Sequence, residues 1–286
     1  MKYLILGPTG YIGEAFGSYC RTNDIPHRLV SRDEVDYSRC DDEFRGWLTA
    51  FVDHNDPVTL INCAGYIGKP NVDACESNKE ATLYGNVVLP QYLSTLCDQL
   101  GIKFAHISSG CIYSGSDNFT EDQAPNFSFD SGGSFYSGTK ALAERTVATN
   151  SSAWQFRLRI PFDNIKSPRN YITKLLTYDK LIDVENSVSH RGDYVKACMQ
   201  LMRRQAPYGI YNVTNPGSIT TREVVELIKT YLGIDKQFNF FTDYNSFNSS
   251  VKTGRSNCTL STDKLTTYVG IRTAEEALID AIVNYR

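Results

Sequence analysis

Residues 2–16 read KYLILGPTGYIGEAF, and the fold turns on them. Residues 3–6 are apolar and fit a short buried strand. Gly7-Pro-Thr-Gly10-Tyr-Ile-Gly13 follows, and Ile12, Ala15, Phe16 and Tyr19 then fall at i, i+3, i+4 and i+7, the spacing of a helix face. Strand, glycine turn and helix in that order leave backbone N–H groups open at a helix N-terminus, where a pyrophosphate binds. Gly7, Gly10 and Gly13, with Tyr11 and Ile12 between them, are therefore the first cofactor-binding candidates. A tight turn without a ligand is the alternative, and the placement of the glycines between strand and helix argues against it.

The alternation continues outward. Residues 27–31 form a second strand candidate ending in Ser31-Arg32-Asp33. A carboxylate at such a strand tip takes the ribose 2′-OH of NAD, whereas an Arg suits the 2′-phosphate of NADP. Arg32 comes first, which favours NADPH, with NADH as the alternative. Helical spacing returns over 43–52, and residues 58–61 give a buried parallel strand ending in Asn62-Cys63-Ala64-Gly65. The carboxyl end of that strand opens onto the cofactor crevice, so Asn62, Ala64 and Gly65 join the cofactor set; the small residues let the backbone approach a ligand. The next loop carries Lys69 and Asn71, candidate substrate contacts. A long helical segment over 75–100 follows, with a kink expected at Pro90 and a stop at Gly101. Asn86 inside it is either a satisfied helix–helix hydrogen bond or an indirect contributor to catalysis.

The chemistry concentrates in 106–140, HISSGCIYSGSDNFTEDQAPNFSFDSGGSFYSGTK. A strand candidate over 103–107 runs into Ser108-Ser109-Gly110-Cys111. About twenty residues of low periodicity then close on Tyr136-Ser-Gly-Thr-Lys140; loops of that kind inside compact domains are usually functional. Tyr136 and Lys140 share a helix face. An ammonium there favours the phenolate and lowers a pKa that is about 10 in water. Ser109 and Cys111 add a hydroxyl and a thiol across the same cleft. Such a set exchanges protons with a carbonyl compound and with the carbon beside the carbonyl.

Beyond a strand candidate at 155–160 the alternation becomes irregular. Ser167-Pro-Arg169-Asn170 opens a helix bearing Lys174 that leaves the sheet, residues 208–213 return as a late strand, and 238–241 is short, aromatic and strand-like. Thr220-Thr-Arg-Glu223 and Thr273-Ala-Glu-Glu276 open two further helices, the first as a capping box. The expected architecture is α/β: a doubly wound parallel sheet over residues 1–160, then a smaller substrate-binding domain over 161–286, with about 180–215 returning to the large domain.

Composition narrows the field. At 286 residues, a net charge of −3 leaves no basic face, which speaks against nucleic acid as a partner. No apolar run approaches the roughly 20 residues of a membrane span, and residues 2–6 read as strand at once, which leaves no room for a signal peptide. The eight cysteines are scattered without a CxxC pair and read as reduced thiols of a cytoplasmic protein, with no metal site. Six Asn-x-Ser/Thr matches are then accidental.

With the glycine turn, the Tyr/Lys helix and the Ser strand end in this order, the chain resembles the extended short-chain dehydrogenase/reductases of the Rossmann type. Within them it is similar to the dTDP-4-dehydrorhamnose reductase branch, and above all to the bifunctional UDP-4-keto-6-deoxyglucose 3,5-epimerase/4-reductases. AGYIGKPNVDACESNK (64–79), SGCIY (109–113), PNFSF (125–129), FYSGTKALAE (135–144), RLRIP (157–161), SPRNYITKLLTY (167–178) and GIYNVTNPG (209–217) carry the likeness. The resemblance implies a reductase set of Ser109, Tyr136 and Lys140, an epimerase pair of Cys111 and Lys174, and nucleotide-sugar contacts from Arg169, Asn170 and Arg255. Ser109 stands where Thr is expected, and Pro8 where relatives can carry Arg, so Arg32 alone bears the NADPH preference. The implied activity is conversion of a UDP- or dTDP-linked 4-keto-6-deoxy sugar to the rhamnose form, with a homodimer reasonable by analogy. A reductase without epimerase activity, a non-catalytic NADP-binding regulatory subunit and an NAD-dependent nucleotide-sugar 4-epimerase or dehydratase are the competing readings.

Overall fold

Strand β1 (Lys2–Leu6) pairs in parallel with β2 (His27–Val30) on one side and β3 (Val58–Asn62) on the other, in a computed structural model that describes residues 2–52 and 57–286. β3 pairs in parallel with β4 (Lys103–Ser109). β5 (Ala153–Leu158) and β6 (Gly209–Asn212) complete a six-stranded sheet in the order β2-β1-β3-β4-β5-β6. The order reverses between β1 and β3, the point at which such sheets open a ligand crevice at their carboxyl ends. Helices α1 (Tyr11–Thr22), α2 (Asp42–Phe51), α3 (Leu89–Gln99) and α4 (Phe135–Val147) alternate with these strands. β3 is buried at every residue, Thr59 and Asn62 included, so it shows no alternation of buried and exposed positions. Leu4, Leu6, Leu60 and Phe104 from the sheet pack with Phe44, Leu48, Leu93 and Leu96 from the helices.

The helical stretch expected over 75–100 is broken into pieces. Short helices at Asp73–Ser77 and Lys79–Leu83 lead into a wide π turn, Tyr84–Val88, and then α3. Pro90 sits in the first turn of α3, which continues directly from the π turn. Its missing donor leaves the Asn86 carbonyl without an i+4 partner, and the chain widens just upstream, with the Leu89 N–H reaching the Tyr84 carbonyl. Gly101 stops the helix at φ +66°.

The chain forms two compact units. The first takes the residues up to Ser108, then Phe135–Phe156 and Ala206–Tyr211; the second takes Ser109–Ser134, Arg157–Gln205 and Asn212–Arg286. A single boundary at 160 therefore misplaces the segment after β4. Its strand Gly115–Phe119 pairs with Cys258–Leu260, and that pairing draws the segment into the second unit. Gly-Ser-Asp-Asn is too polar to announce a strand. Of 180–215, only the stretch forming most of β6 returns to the first unit.

The second unit is built on α5 (Tyr171–Thr177), α6 (Arg191–Arg203), α7 (Thr221–Leu232) and α8 (Ala274–Val283). Ile172, Leu175, Val224, Ile228, Leu278 and Ile282 meet in its core. Both Thr–Glu capping boxes form, at the starts of α7 and α8. α6 buries a broad face, from Tyr194 and Val195 to Leu201 and Met202, but left no start signal in the sequence because it opens on Arg, Gly and Asp and its cap is His190. Among the described residues no helix is long and apolar enough to cross a membrane.

Two polar nodes hold the second unit. Asn170 caps α5: its Oδ1 accepts the Ile172 N–H at 2.9 Å. Its Nδ2 donates to the Asp163 and Ile165 carbonyls at 2.7 and 2.8 Å and to Asp163 Oδ1 at 2.9 Å. Asp193 of α6 accepts from Arg272 Nε at 3.0 Å and from Asn215 Nδ2 at 2.9 Å. Burial alone would raise the Asp193 carboxyl, but His190, Arg272 and Asn215 together outweigh it and hold the group well below the ordinary carboxylate range.

Two outcomes follow from these nodes. Asn170→Ala removes a buried cap and three further bonds and should lower the urea unfolding free energy by about 2–4 kcal/mol. A folded-state pKa below the unfolded one contributes stability above about pH 4, lost as the pH falls further. Asp193→Asn should accordingly be less stable than the native chain at pH 7 and lose less on acidification to about pH 2, as urea midpoints at the two pH values will show.

Candidate active site

In the first unit the glycine turn is a cradle that side chains would fill. Gly7 has φ +72°, and a β-carbon there would lie 2.9 Å from the Ala64 nitrogen. One on Gly13 would lie 2.1 Å from the Gly7 carbonyl oxygen. Only glycine lets α1 seat on the turn and the turn seat on the end of β3. Gly10 is the N-cap of α1 and brings no side chain to it, so the first turn of the helix is offered to a ligand with Tyr11 and Ile12 in it. Asn62 Oδ1 accepts the Ala64 N–H at 3.0 Å, fixing the loop that faces the turn. Arg32 is exposed on the loop after β2. The chemistry of this turn, backbone N–H groups at a helix start with no side chain in the way, fits a pyrophosphate.

Sequence reasoning missed the partner of the Gly7 amide. The Gly7 N–H donates to Tyr37 Oη at 3.0 Å, and Tyr37 is 3% exposed. The Asp36-Tyr37 dipeptide follows the second strand at a distance that spacing alone cannot convert into a contact.

α4 brings the Tyr/Lys pair. Its first N–H, from Phe135, donates to Glu76 Oε1 at 2.7 Å, a cap supplied from another helix and therefore invisible to local sequence rules. Tyr136 is half-buried; Lys140 is 5% exposed, and its Nζ donates to the Ile107 carbonyl at 3.3 Å. A β-carbon on Gly65 would lie 3.8 Å from that Nζ and 3.2 Å from Asn86 Oδ1, so the missing side chain at 65 leaves room for both. His106, buried on β4, bonds through Nδ1 to Asn62 Nδ2 at 3.3 Å. Burial, and after it the Lys140 charge, push its imidazole well below the usual His pKa, so one cation and not two occupies this floor. Asn86 makes the helix–helix hydrogen bond that was the first of its two readings. Its amide accepts the Tyr66 N–H and donates to the Tyr66 carbonyl, each at 2.8 Å, and donates to Thr139 Oγ1 at 3.2 Å. It ties the loop after Gly65 to the helix of Tyr136 and Lys140.

Ser109, Cys111, Lys174, Arg169 and Arg255 belong to the second unit. Ser109 Oγ accepts the Cys111 N–H at 3.3 Å and caps the turn Gly110–Ile112. As the acceptor there, the hydroxyl keeps its own proton to donate elsewhere. The Cys258 thiol donates to the Gly110 carbonyl at 3.2 Å, and a β-carbon on Gly110 would meet Leu260 Cδ1 at 2.6 Å. The Cys111 turn is thus seated on the strand that follows Arg255. Cys111 is half-buried. Arg255 Nη1 donates to the Thr253 carbonyl at 2.8 Å. Lys174 lies on α5; burial first, and the Arg169 charge second, lower its pKa. Asn170, expected as a substrate contact, is buried and committed to the cap described above; its polar character is spent inside the protein. Lys69 and Asn71, in the first unit, are exposed, and Asn71 Oδ1 accepts the Asp73 N–H at 2.8 Å.

Known proteins of the same shape share this framework. The model of the RmlD substrate binding domain matches residues 1–286. A bifunctional dTDP-4-dehydrorhamnose 3,5-epimerase/dTDP-4-dehydrorhamnose reductase of Arabidopsis thaliana is 33% identical, over 84% of this chain and 77% of the relative. A trifunctional UDP-glucose 4,6-dehydratase/UDP-4-keto-6-deoxy-D-glucose 3,5-epimerase/UDP-4-keto-L-rhamnose-reductase of the same plant is 31% identical over 85% of this chain. The chain spans only 36% of that larger protein. The crystal structure of the L780 UDP-rhamnose synthase from Acanthamoeba polyphaga mimivirus superimposes with a TM-score of 0.89 at 21% identity, covering 99% of each chain. A dTDP-4-dehydrorhamnose reductase from Bacillus anthracis, in complex with NADP, gives 0.80 at 16% identity, covering 97% of this chain and 96% of its own. At those identities the two structures attest the Rossmann-like fold. The chain belongs to the RmlD substrate binding domain family of enzymes.

Proposed function

We propose that the chain is an NADPH-dependent 4-keto-sugar reductase that also epimerises its substrate at C3 and C5, taking UDP-4-keto-6-deoxy-D-glucose to UDP-L-rhamnose. The observation that carries the reductase half is the buried Lys140 ammonium one helical turn beyond Tyr136, on the floor beside Gly65. The epimerase half rests on Cys111 and Lys174 together with the bifunctional name of the plant relative that is 33% identical. The Bacillus anthracis structure in complex with NADP supports the cofactor.

Gly7, Gly10 and Gly13 would hold the pyrophosphate of that cofactor, Arg32 its 2′-phosphate, and Lys140 the nicotinamide ribose. When bound, the dihydronicotinamide supplies the hydride that reduces C4. Everything else falls to the side chains. A carbonyl at C4 acidifies the C3 and C5 hydrogens, because deprotonation moves charge onto O4. Ser109 and Tyr136 are the donors that stabilise this charge. Inversion needs a group that removes the proton on one face and another that returns one on the opposite face. Cys111 is the base, with a thiol pKa of about 8.5 in water. Lys174 is the acid, and its lowered pKa makes its ammonium a stronger donor. In the reductive step Tyr136 gives its proton to O4, and the Lys140 charge favours the phenolate that remains.

Incubation with UDP-4-keto-6-deoxyglucose in D₂O separates the two halves. Cys111→Ala should cut deuterium entry at C3 and C5 by about 10²–10⁴-fold, while a ketone that is already epimerised is still reduced. Tyr136→Phe should leave exchange in place and cut NADPH oxidation by a factor of the same order, about 10²–10⁴. Mass spectrometry reads the first and absorbance at the nicotinamide band the second. Exchange unchanged in Cys111→Ala removes that thiol from the mechanism, and no exchange in the native protein reduces the function to a reductase alone. The same incubation with the dTDP-linked ketone decides the nucleotide.

A further inference from the structure

The loop from β2 to α2 is tied down by three tyrosine phenols. Tyr37 Oη accepts the Gly7 N–H at 3.0 Å, Tyr84 Oη donates to the Arg39 carbonyl at 3.2 Å, and Tyr92 Oη donates to the Asp41 carbonyl at 2.8 Å. The Asp36 carboxylate also accepts from the Ser38 N–H at 3.1 Å and starts the short turn Tyr37–Arg39. Of these ties, the one from Tyr37 alone reaches the glycine cradle. Tyr37 is buried against Phe44, with ring centroids 6.1 Å apart, so its phenol has little freedom to leave the amide it holds. Arg32 stands five positions earlier on the same loop, close enough for its charge to act on the Tyr37 phenol.

We infer that Tyr37 is a positioning residue for the dinucleotide: its hydroxyl locks the Gly7 amide and thereby fixes the turn that meets the pyrophosphate to the loop that bears Arg32. This rests on the cofactor reading above. Gly7 is held at a positive φ, which costs the chain entropy to maintain, and a bond to its N–H selects that conformation before ligand arrives. The same bond sets the distance between the two parts of the cradle, so its loss weakens the dinucleotide with a 2′-phosphate more than the one without.

The test uses the native chain, Tyr37→Phe and Tyr84→Phe, with NADPH and NADH titrated by nucleotide fluorescence. Hydrogen exchange is measured on peptides covering residues 2–13. Tyr37→Phe should bind NADPH about tenfold more weakly, bind NADH about threefold more weakly, and lose exchange protection at Gly7. Its kcat at saturating NADPH should stay within about twofold of native, so the loss appears in KM. Tyr84→Phe, which removes an exposed bond to the Arg39 carbonyl and none to the glycine turn, should match the native affinity within about twofold. A purely structural role would lower the melting temperature of Tyr37→Phe without splitting KM from kcat, and would overturn the inference. Native protein that binds neither dinucleotide overturns the cofactor reading and this one with it. Native binding with an unchanged Tyr37→Phe affinity overturns this one alone.

Discussion

An ammonium kept out of water is the constraint on which the first unit depends. Removing a lysine charge from solvent costs several kcal/mol even after relaxation, and Lys140 is 5% exposed. Three features make that tolerable. The β4 backbone turns the Ile107 carbonyl toward Nζ, Gly65 contributes no side chain to crowd it, and burial keeps His106 neutral so that no second cation competes. Two come from β4 and one from the loop after β3, and they meet because the parallel sheet brings the ends of those strands side by side. In the proposed reaction the charge also gives the helix its chemistry. A Tyr one turn earlier on the same face is an ordinary phenol unless a desolvated cation stands beside it.

Asn86 shows how such a floor is kept in register. A π turn is a poor helix, since it widens the barrel and weakens its own hydrogen bonds. Here it holds an amide whose three bonds fasten Tyr66 and Thr139, the flanks of Gly65 and Lys140. A regular helix through 84–88 would swing that side chain round by about 100°, one residue's worth of turn. The irregularity that Pro90 provokes is thus coupled to the chemistry downstream of it, and this is where local backbone cost is usually found.

What the sequence disclosed follows from the range of the forces involved. The glycine turn, the order of β1 to β5, the two Thr–Glu capping boxes and the Gly101 and Gly233 stops are local, and each was legible from residues a few positions apart. Tyr37 on Gly7 and Glu76 on the Phe135 amide join residues 30 and 59 positions apart, and no spacing rule encodes them. α6 was illegible for a different reason, because it opens on Arg, Gly and Asp and its cap is a His, outside the usual capping residues. The strand Gly115–Phe119 hid behind polar residues whose pairing partner lies some 140 positions later. Asn170 was misjudged in the opposite direction. A polar residue inside a family-like motif suggested a ligand, when the buried end of α5 already consumed it.

Two reactions at one ketone need fewer groups than two separate sites would. Acidity at the carbons beside a carbonyl and electrophilicity of the carbonyl carbon both come from charge accepted by the same oxygen, so a donor aimed at O4 assists either step. A Ser hydroxyl that accepts from a backbone N–H is well suited to this. The Cys111 amide engages one of its lone pairs, and its proton stays available to donate. Base and acid, by contrast, cannot be shared, because inversion demands opposite faces. The pair assigned to them is therefore chemically unlike, a thiol on a turn and a lysine on a helix whose pKa burial has lowered. A thiol alone would remove a proton and return it to the same face, giving exchange without inversion. In the proposed mechanism it is the lysine that would turn isotope exchange into epimerisation.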